Sequence, residues 1–280
     1  MNLFKYRSRI FLISMVLLSM LLAIGCSDNE TTAPQGEAPE LPPQSTMVMD
    51  FAAFPDTTAP SPFLKNKFDK TLSYENWGWS AFNIVVWNTV LTFTLALPVA
   101  AFEESFNHEP EFIDGSWVWK YNFNFAGVQH TAELHGTNVS NGVEWKMIIS
   151  KNNGFQNFEW FNGFSNTPLT EGNWTLNKDP DEPTPFLGIE WHRNPAQNTA
   201  DIKYTNIIPD DPENGGFIFY GITSNNDYDR FYDIFNKGQN NHTNIEWLFA
   251  TKEGRVKDPR HFGDSQWHCW DVSLQDVTCP

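Results

Sequence analysis

The sequence has few cations, few cysteines and one long stretch without any charge. Lys and Arg number 18 against 34 Asp and Glu, which gives a formal net charge of −16. A surface with this excess of negative charge repels phosphate backbones, so a broad electrostatic nucleic-acid interface is excluded. Glycine-rich phosphate loops and GxSxG motifs are also absent. Nothing in the sequence therefore requires a cofactor or catalysis.

Apolar residues are abundant. They make up 40% of the chain, with 24 Phe and 12 Trp, which is far from a disordered composition and enough for a sizeable core.

The first residues have the features of an export signal. A basic region (Lys5, Arg7, Arg9) precedes the apolar run 11–22, which is too short for an ordinary transmembrane helix. The junction Leu-Ala-Ile-Gly-Cys at 22–26 then resembles the lipobox of bacterial lipoproteins. The resemblance covers residues 1–26 and implies that Cys26 is diacylated and becomes the new N-terminus.

The resemblance also implies an address. Ser27 after the cysteine is similar to the outer-membrane sorting pattern of Gram-negative lipoproteins. Asp28 and Glu30 resemble, more loosely, the surface-export signals of some Bacteroidota lipoproteins. We expect a protein anchored by lipid in the outer membrane, at its periplasmic face or on the cell surface.

Composition divides the chain into three parts: a signal peptide (1–25), a lipid anchor with a proline-rich tether (26–62) and one β-rich domain (63–280). Cys269 and Cys279 are the two cysteines left once Cys26 is acylated. Because a cysteine pair outside the cytosol usually forms a disulfide, we expect these two to be joined.

No charged residue occurs between Glu75 and Glu103, a stretch of 27 residues. A transmembrane helix, two buried strands and a buried helix all fit this pattern. We favour a helix near 79–102 that is buried on all sides, with Pro98 kinking or ending it. Under that interpretation, residues 82–102 are enclosed by the rest of the domain.

After Gly115 apolar and polar residues alternate, which is typical of strands with one buried face. Nine strands are predicted in an antiparallel meander, separated by turns such as Asn141-Gly142. We expect an all-β domain whose sheet forms a barrel or half-barrel around or against the helix. Tyr228, Phe231, Tyr232 and Phe235 have helical spacing and predict one short helix among the strands.

The tripeptide apolar-Glu-Trp occurs four times, with its acids at Glu144, Glu159, Glu190 and Glu246. These carboxylates could supply a glycosidase pair, but alternation in a strand predicts that they lie on an outer polar face opposite a tryptophan core. If the aromatic face were exposed instead, it could bind a ligand. The candidate binding residues are Trp117, Trp119, Tyr121, Trp145, Trp160, Trp191 and Trp247.

The C-terminal stretch contains His261, Asp264, His268 and Asp271, which are weak candidate zinc ligands because no HExxH or CxxC pattern accompanies them. Polar packing around the disulfide is the simpler interpretation.

Three functions fit these features. The first is a non-enzymatic, lipid-anchored protein that binds an apolar or amphipathic ligand or an envelope partner. The second is a glycan-binding lipoprotein that stacks sugars on exposed Trp and Tyr. The third is a glycoside hydrolase with a Glu pair. Burial of the aromatic residues favours the first, whereas exposed coplanar rings favour the second.

Overall fold

A computed structural model describes residues 36–54 and 73–280. Internal contacts divide the chain into Met1–Gln35 and Gly36–Pro280, and the described residues all belong to the second of these units. Cys26 and residues 55–72 lie outside the described residues, so the anchor stays a prediction.

The described chain contains one antiparallel sheet of fourteen strands, in which each strand pairs with the next along the sequence. The meander is thus confirmed. β1 and β14 are the two edges and do not pair with each other, so the strands do not close into a barrel. The strands are β1 (Glu111–Ile113), β2 (Ser116–Phe125), β3 (Val128–Val139), β4 (Gly142–Lys151), β5 (Phe158–Asn166), β6 (Glu171–Asn177), β7 (Pro185–Asn194), β8 (Thr199–Asn206), β9 (Phe217–Ile222), β10 (Arg230–Asn236), β11 (Asn241–Trp247), β12 (Gly254–Lys257), β13 (His268–Trp270) and β14 (Asp276–Val277).

The short helix predicted from Tyr228, Phe231, Tyr232 and Phe235 is wrong, because this stretch forms β10. Tyr232 is buried on the inner face of the sheet, while Phe231 lies on the outer face and packs over Gly221 of β9. A Cβ atom at Gly221 would lie 2.2 Å from the ring of Phe231, so glycine makes room for it. Aromatic residues on both faces of one strand produced the misleading helical spacing.

The uncharged stretch forms one long helix, α1 (Glu75–Ser105), as the sequence predicted. Its N-terminal end packs against β12–β14 and its C-terminal end against β2 and β3. Pro98 does not end the helix, which continues to Ser105. A second, four-residue helix, α2 (Pro259–Phe262), follows β12.

The expectation that α1 is buried on all sides is wrong. Ile84, Leu91 and Leu95 face the core, but the opposite side of the helix is open, and Phe93 is 81% exposed. By length and composition α1 could cross a membrane, and 28% of its most apolar window is buried. The sheet covers one side of the helix because it has only one inner face to offer.

Residues 41–54, which we call the strap, belong to the folded body although the sequence assigned them to the tether. Short 3-10 helices occur at Gln44–Thr46 and Phe51–Ala53. Met47 and Phe54 are buried in the same core cluster as α1 and the inner face of the sheet. The alternation of apolar residues in this segment reflects contact with the sheet rather than a strand of its own.

Candidate functional site

A cavity of about 810 Å³ lies between α1 and the middle of the sheet. We call it the groove. Its volume is within the range of about 300–1,000 Å³ that is typical of small-molecule sites. Its apolar lining residues are Trp79, Val86, Trp87, Val90, Leu91, Phe186, Leu187, Ile208, Ile234 and Phe235.

One face of α1 forms a wall of the groove. Trp79, Asn83, Val86, Val90 and Thr94 line it, and they recur every three or four residues, as neighbours on one helix face do. The uncharged helix therefore presents an apolar wall interrupted by an amide and a hydroxyl group.

Polar groups from the sheet and its loops line other parts of the groove. They are mainly uncharged hydroxyl and amide side chains, with single acids and one Lys; the residues are Lys178, Tyr204, Asn206, Glu213, Asn236, Gln239, Asn241, Thr243 and Asp258. Apolar walls combined with hydrogen-bonding groups suit a molecule that has both an apolar part and a polar part.

Asp258 fixes the N-terminal half of α1 to the sheet. Its buried carboxylate accepts hydrogen bonds from Trp79 Nε1 (3.0 Å), Thr243 Oγ1 (2.7 Å) and Asn241 Nδ2 (2.8 Å), and from the backbone N–H groups of Arg260 and His261. Burial by itself would raise the pKa of Asp258. The hydrogen bonds outweigh it and hold the pKa below its ordinary value.

A second cavity, of about 670 Å³, lies between α1 and the strap. Leu91 and Tyr204 line both cavities and so stand between them. The hydroxyl of Tyr204 donates to the carbonyl oxygen of Met47 at 2.9 Å, and burial raises the pKa of Tyr204 well above its ordinary value. Tyr204 therefore stays protonated and holds the strap in place.

The aromatic residues predicted as binding candidates do not line the groove. Six of them (Trp119, Tyr121, Trp145, Trp160, Trp191 and Trp247) are buried in the core, and Trp117 is half-buried. Several fix the surrounding structure: Trp247 Nε1 donates to the carbonyl oxygen of Ala53 at 3.2 Å, and the Tyr121 hydroxyl donates to that of Ala101. They do not form the exposed platform that the glycan-binding alternative requires.

The four acids of the apolar-Glu-Trp tripeptides lie on the outer face of the sheet, as alternation predicted. Glu159 lies 3.8 Å from Lys146, and Glu246 accepts a hydrogen bond from Arg255 Nε at 2.7 Å. None of the four lines the groove, so the structure gives no support to the glycosidase pair.

The candidate zinc ligands have other contacts. His261 stacks on Trp79 with ring centroids 3.8 Å apart, and His268 Nε2 lies 3.0 Å from Asp264 Oδ1. Asp271 accepts hydrogen bonds from the backbone N–H groups of a turn, those of Ser273 and Gln275. Within residues 36–54 and 73–280 no group of three or more His, Cys, Asp or Glu side chains could hold a metal ion.

The sulphur atoms of Cys269 and Cys279 lie 2.08 Å apart, at the distance of a disulfide bond. The pair is next to the start of α1, because Asn76 Nδ2 donates to the carbonyl oxygen of Cys269 at 2.8 Å. The disulfide therefore holds the C-terminal segment near the helix.

Comparison with protein-family models, curated proteins and solved structures finds no match. The groove must therefore be interpreted from its own residues. The sequence analysis placed the relevant helix but missed its binding face, although Trp79, Asn83, Trp87 and Thr94 follow helical spacing within the uncharged stretch. The sheet residues that complete the groove come from distant strands and carry no local signal.

Proposed function

We propose that this protein is a non-enzymatic, lipid-anchored protein of the bacterial outer membrane that holds an amphipathic ligand in the groove. The observation that carries the proposal is the cavity of about 810 Å³ between α1 and the sheet, with its apolar walls and uncharged polar groups. In this proposal the open sheet acts as a half-barrel, and α1 crosses its inner face.

The contents of the groove support binding rather than hydrolysis. Glu213 and Asp258 are its two acids, and both already have partners: Asp258 is saturated by its hydrogen bonds, and Glu213 accepts from the backbone N–H of Gly238 at 3.1 Å. A pair of free carboxylates on either side of a substrate bond, as glycoside hydrolysis needs, is not formed by the described residues.

The lipid anchor rests on the sequence. The basic region, the apolar run 11–22 and the junction ending in Cys26 occur in the order of a lipoprotein signal. Two acyl chains anchor a protein stably where one does not. Substitution Cys26→Ala should abolish incorporation of labelled palmitate, and unchanged labelling would contradict the anchor.

The groove is tested by binding of N-phenyl-1-naphthylamine, an uncharged probe that fluoresces in apolar surroundings. We expect the protein starting at Ser27 to bind the probe, and lysophosphatidylcholine, with its single acyl chain, to displace it. A soluble oligosaccharide such as cellohexaose should not. Displacement by the oligosaccharide alone, or no probe binding, would contradict the proposal.

Ile208→Trp provides the site-specific variant. Ile208 lines the groove, and the larger ring should fill part of it and weaken probe binding about tenfold, equivalent to about 1.4 kcal/mol. Ile113→Trp is the matched control, since Ile113 is exposed on β1 and lies outside the groove. Equal binding by the two variants would place the probe elsewhere.

A further inference from the structure

We propose that the exposed side of α1 docks on the surface of a lipid bilayer. The inference rests on the lipid anchor of the proposed function and adds the orientation of the folded body. The side in question consists of Phe82, Val85, Val86, Val90 and Phe93, which we call the docking stripe. These five residues are between 40% and 81% exposed.

The docking stripe is one continuous helix face. Its members follow one another at helical intervals and lie opposite Ile84, Leu91 and Leu95, which are buried against the sheet. An amphipathic helix of a soluble domain has polar residues on its open side. The open side of α1 carries valine, phenylalanine and threonine instead.

Electrostatics permits contact with a bilayer of uncharged or zwitterionic surface. Residues 76–102 contain no Asp, Glu, Lys or Arg, so docking of α1 removes no charge on the helix from water. The rest of the protein, with a net charge of −16, would be repelled by anionic lipid. The apolar stripe therefore favours a neutral lipid surface, into which a helix face sinks by about 5–10 Å.

The length of chain between the anchor and the folded body limits which side can face the membrane. Ten residues separate Cys26 from Gly36, and they can extend to at most about 35 Å. A domain of this length is roughly 45 Å across. The first part of the body also lies beside α1, since Gln44 of the strap and Ala100 and Glu103 of the helix line one cleft. The side that carries α1 is thus the side within reach of the anchored bilayer.

The docking stripe adjoins the groove. Val86 and Val90 belong to the stripe and also line the groove, so the opening of the groove lies where the stripe would meet lipid. An amphipathic ligand could then pass between bilayer and groove without exposing its apolar part to water. This arrangement gives the exposed side of α1 and the groove a common purpose.

The test uses the acylated full-length protein in phosphatidylcholine vesicles that contain nitroxide-labelled lipid. An environment-sensitive fluorophore is attached at Phe93→Cys or, as a matched control, at Glu190→Cys on the outer face of the sheet. We expect a blue-shifted emission and at least twofold quenching at position 93, and neither change at position 190. Absence of quenching at position 93, or equal quenching at both positions, would overturn the proposal.

A second measurement separates docking from anchoring. The chain starting at Ser27 keeps the compact unit Gly36–Pro280 but has no acyl group. Phe93→Glu should lower its partition into phosphatidylcholine vesicles about tenfold, while palmitate labelling of full-length Phe93→Glu stays normal. Loss of palmitate labelling in Cys26→Ala together with unchanged partition of Phe93→Glu would overturn docking and leave the anchor intact.

The other occupants of the stripe give different results. A second copy of the chain would produce dimers that Phe93→Glu abolishes, with no nitroxide quenching at position 93. A helix that spans the bilayer would keep the chain starting at Ser27 in membranes after an alkaline carbonate wash. Either result would overturn docking on the membrane surface.

Discussion

Trp79 Nε1 donates a hydrogen bond of 3.0 Å to the buried carboxylate of Asp258, and the same indole ring stacks on His261 at a centroid distance of 3.8 Å. This contact joins α1 to the segment after β12. Thr243 and Asn241 of β11 donate to the same carboxylate. One side chain thus fixes the position of the helix that forms a wall of the groove.

Replacement Asp258→Asn should destabilise the protein by about 1–3 kcal/mol, because the amide cannot accept all of the hydrogen bonds and leaves buried donors unpaired. The pKa of Asp258 is lowered in the folded protein, so folding favours the ionised form. The stabilisation it provides is complete above the ordinary pKa of about 3.9 and is lost as pH falls through the lower folded value.

Urea unfolding between pH 2 and 7 measures this effect. The stability difference between wild type and Asp258→Asn should be largest near neutral pH and shrink below about pH 4. Glu190→Gln also removes one carboxylate but lies on the exposed outer face, and it should change stability by less than about 0.5 kcal/mol. A pH-independent difference for Asp258→Asn would show that charge on this group does not matter.

The first turn of α1 is capped from the far end of the chain. Asp276 accepts hydrogen bonds of 3.0 Å from the backbone N–H groups of Glu75 and Asn76. These donors have no partner within a helix. Asp276→Ala should therefore cost about 1 kcal/mol, typical of a lost N-cap, and also release β14 from the helix.

Thermal unfolding of Asp276→Ala and Asp276→Asn distinguishes capping from a general charge effect. Asn keeps one oxygen acceptor and should recover part of the loss, whereas Ala should not. If both variants behaved like Glu190→Gln, the contact with α1 would contribute nothing to stability.

Much of the fold can be predicted from local patterns. Alternation locates β2–β9 and β11, and the absence of charge locates α1, because each pattern reflects which side of an element is buried. β10 was missed because its aromatic residues occupy both faces. The short strands β1 and β12–β14 are too brief to show any periodicity.

The groove could not be predicted in the same way. Its lining joins Trp79 of α1 to Phe186 and Phe235, which are distant in sequence. Burial of α1 on one side only depends on how much of the sheet reaches it, and no local pattern reports this. The strap was missed because its prolines resemble a tether, although Met47 and Phe54 are core residues.

Adjacent residues of α1 give the sharpest test of its half-buried position. Leu91 is 5% exposed and Val90 is 49% exposed. Leu91→Lys must bring a charge into the core without a partner, which costs several kcal/mol and is comparable to the whole stability of a typical domain, about 5–15 kcal/mol. We expect little folded protein.

Val90→Lys is the matched control, with the same new side chain one residue earlier. Its ammonium group can reach water from the open side of α1, so we expect a folded protein whose stability changes by less than about 1 kcal/mol. Soluble yield and thermal unfolding by circular dichroism compare the two variants. Equal loss of folded protein would mean that both sides of α1 are enclosed, and equal tolerance would mean that α1 does not pack on the sheet. Because folding favours burial of Leu91 alone, only the asymmetric result agrees with a helix that has one side on the sheet and the other open.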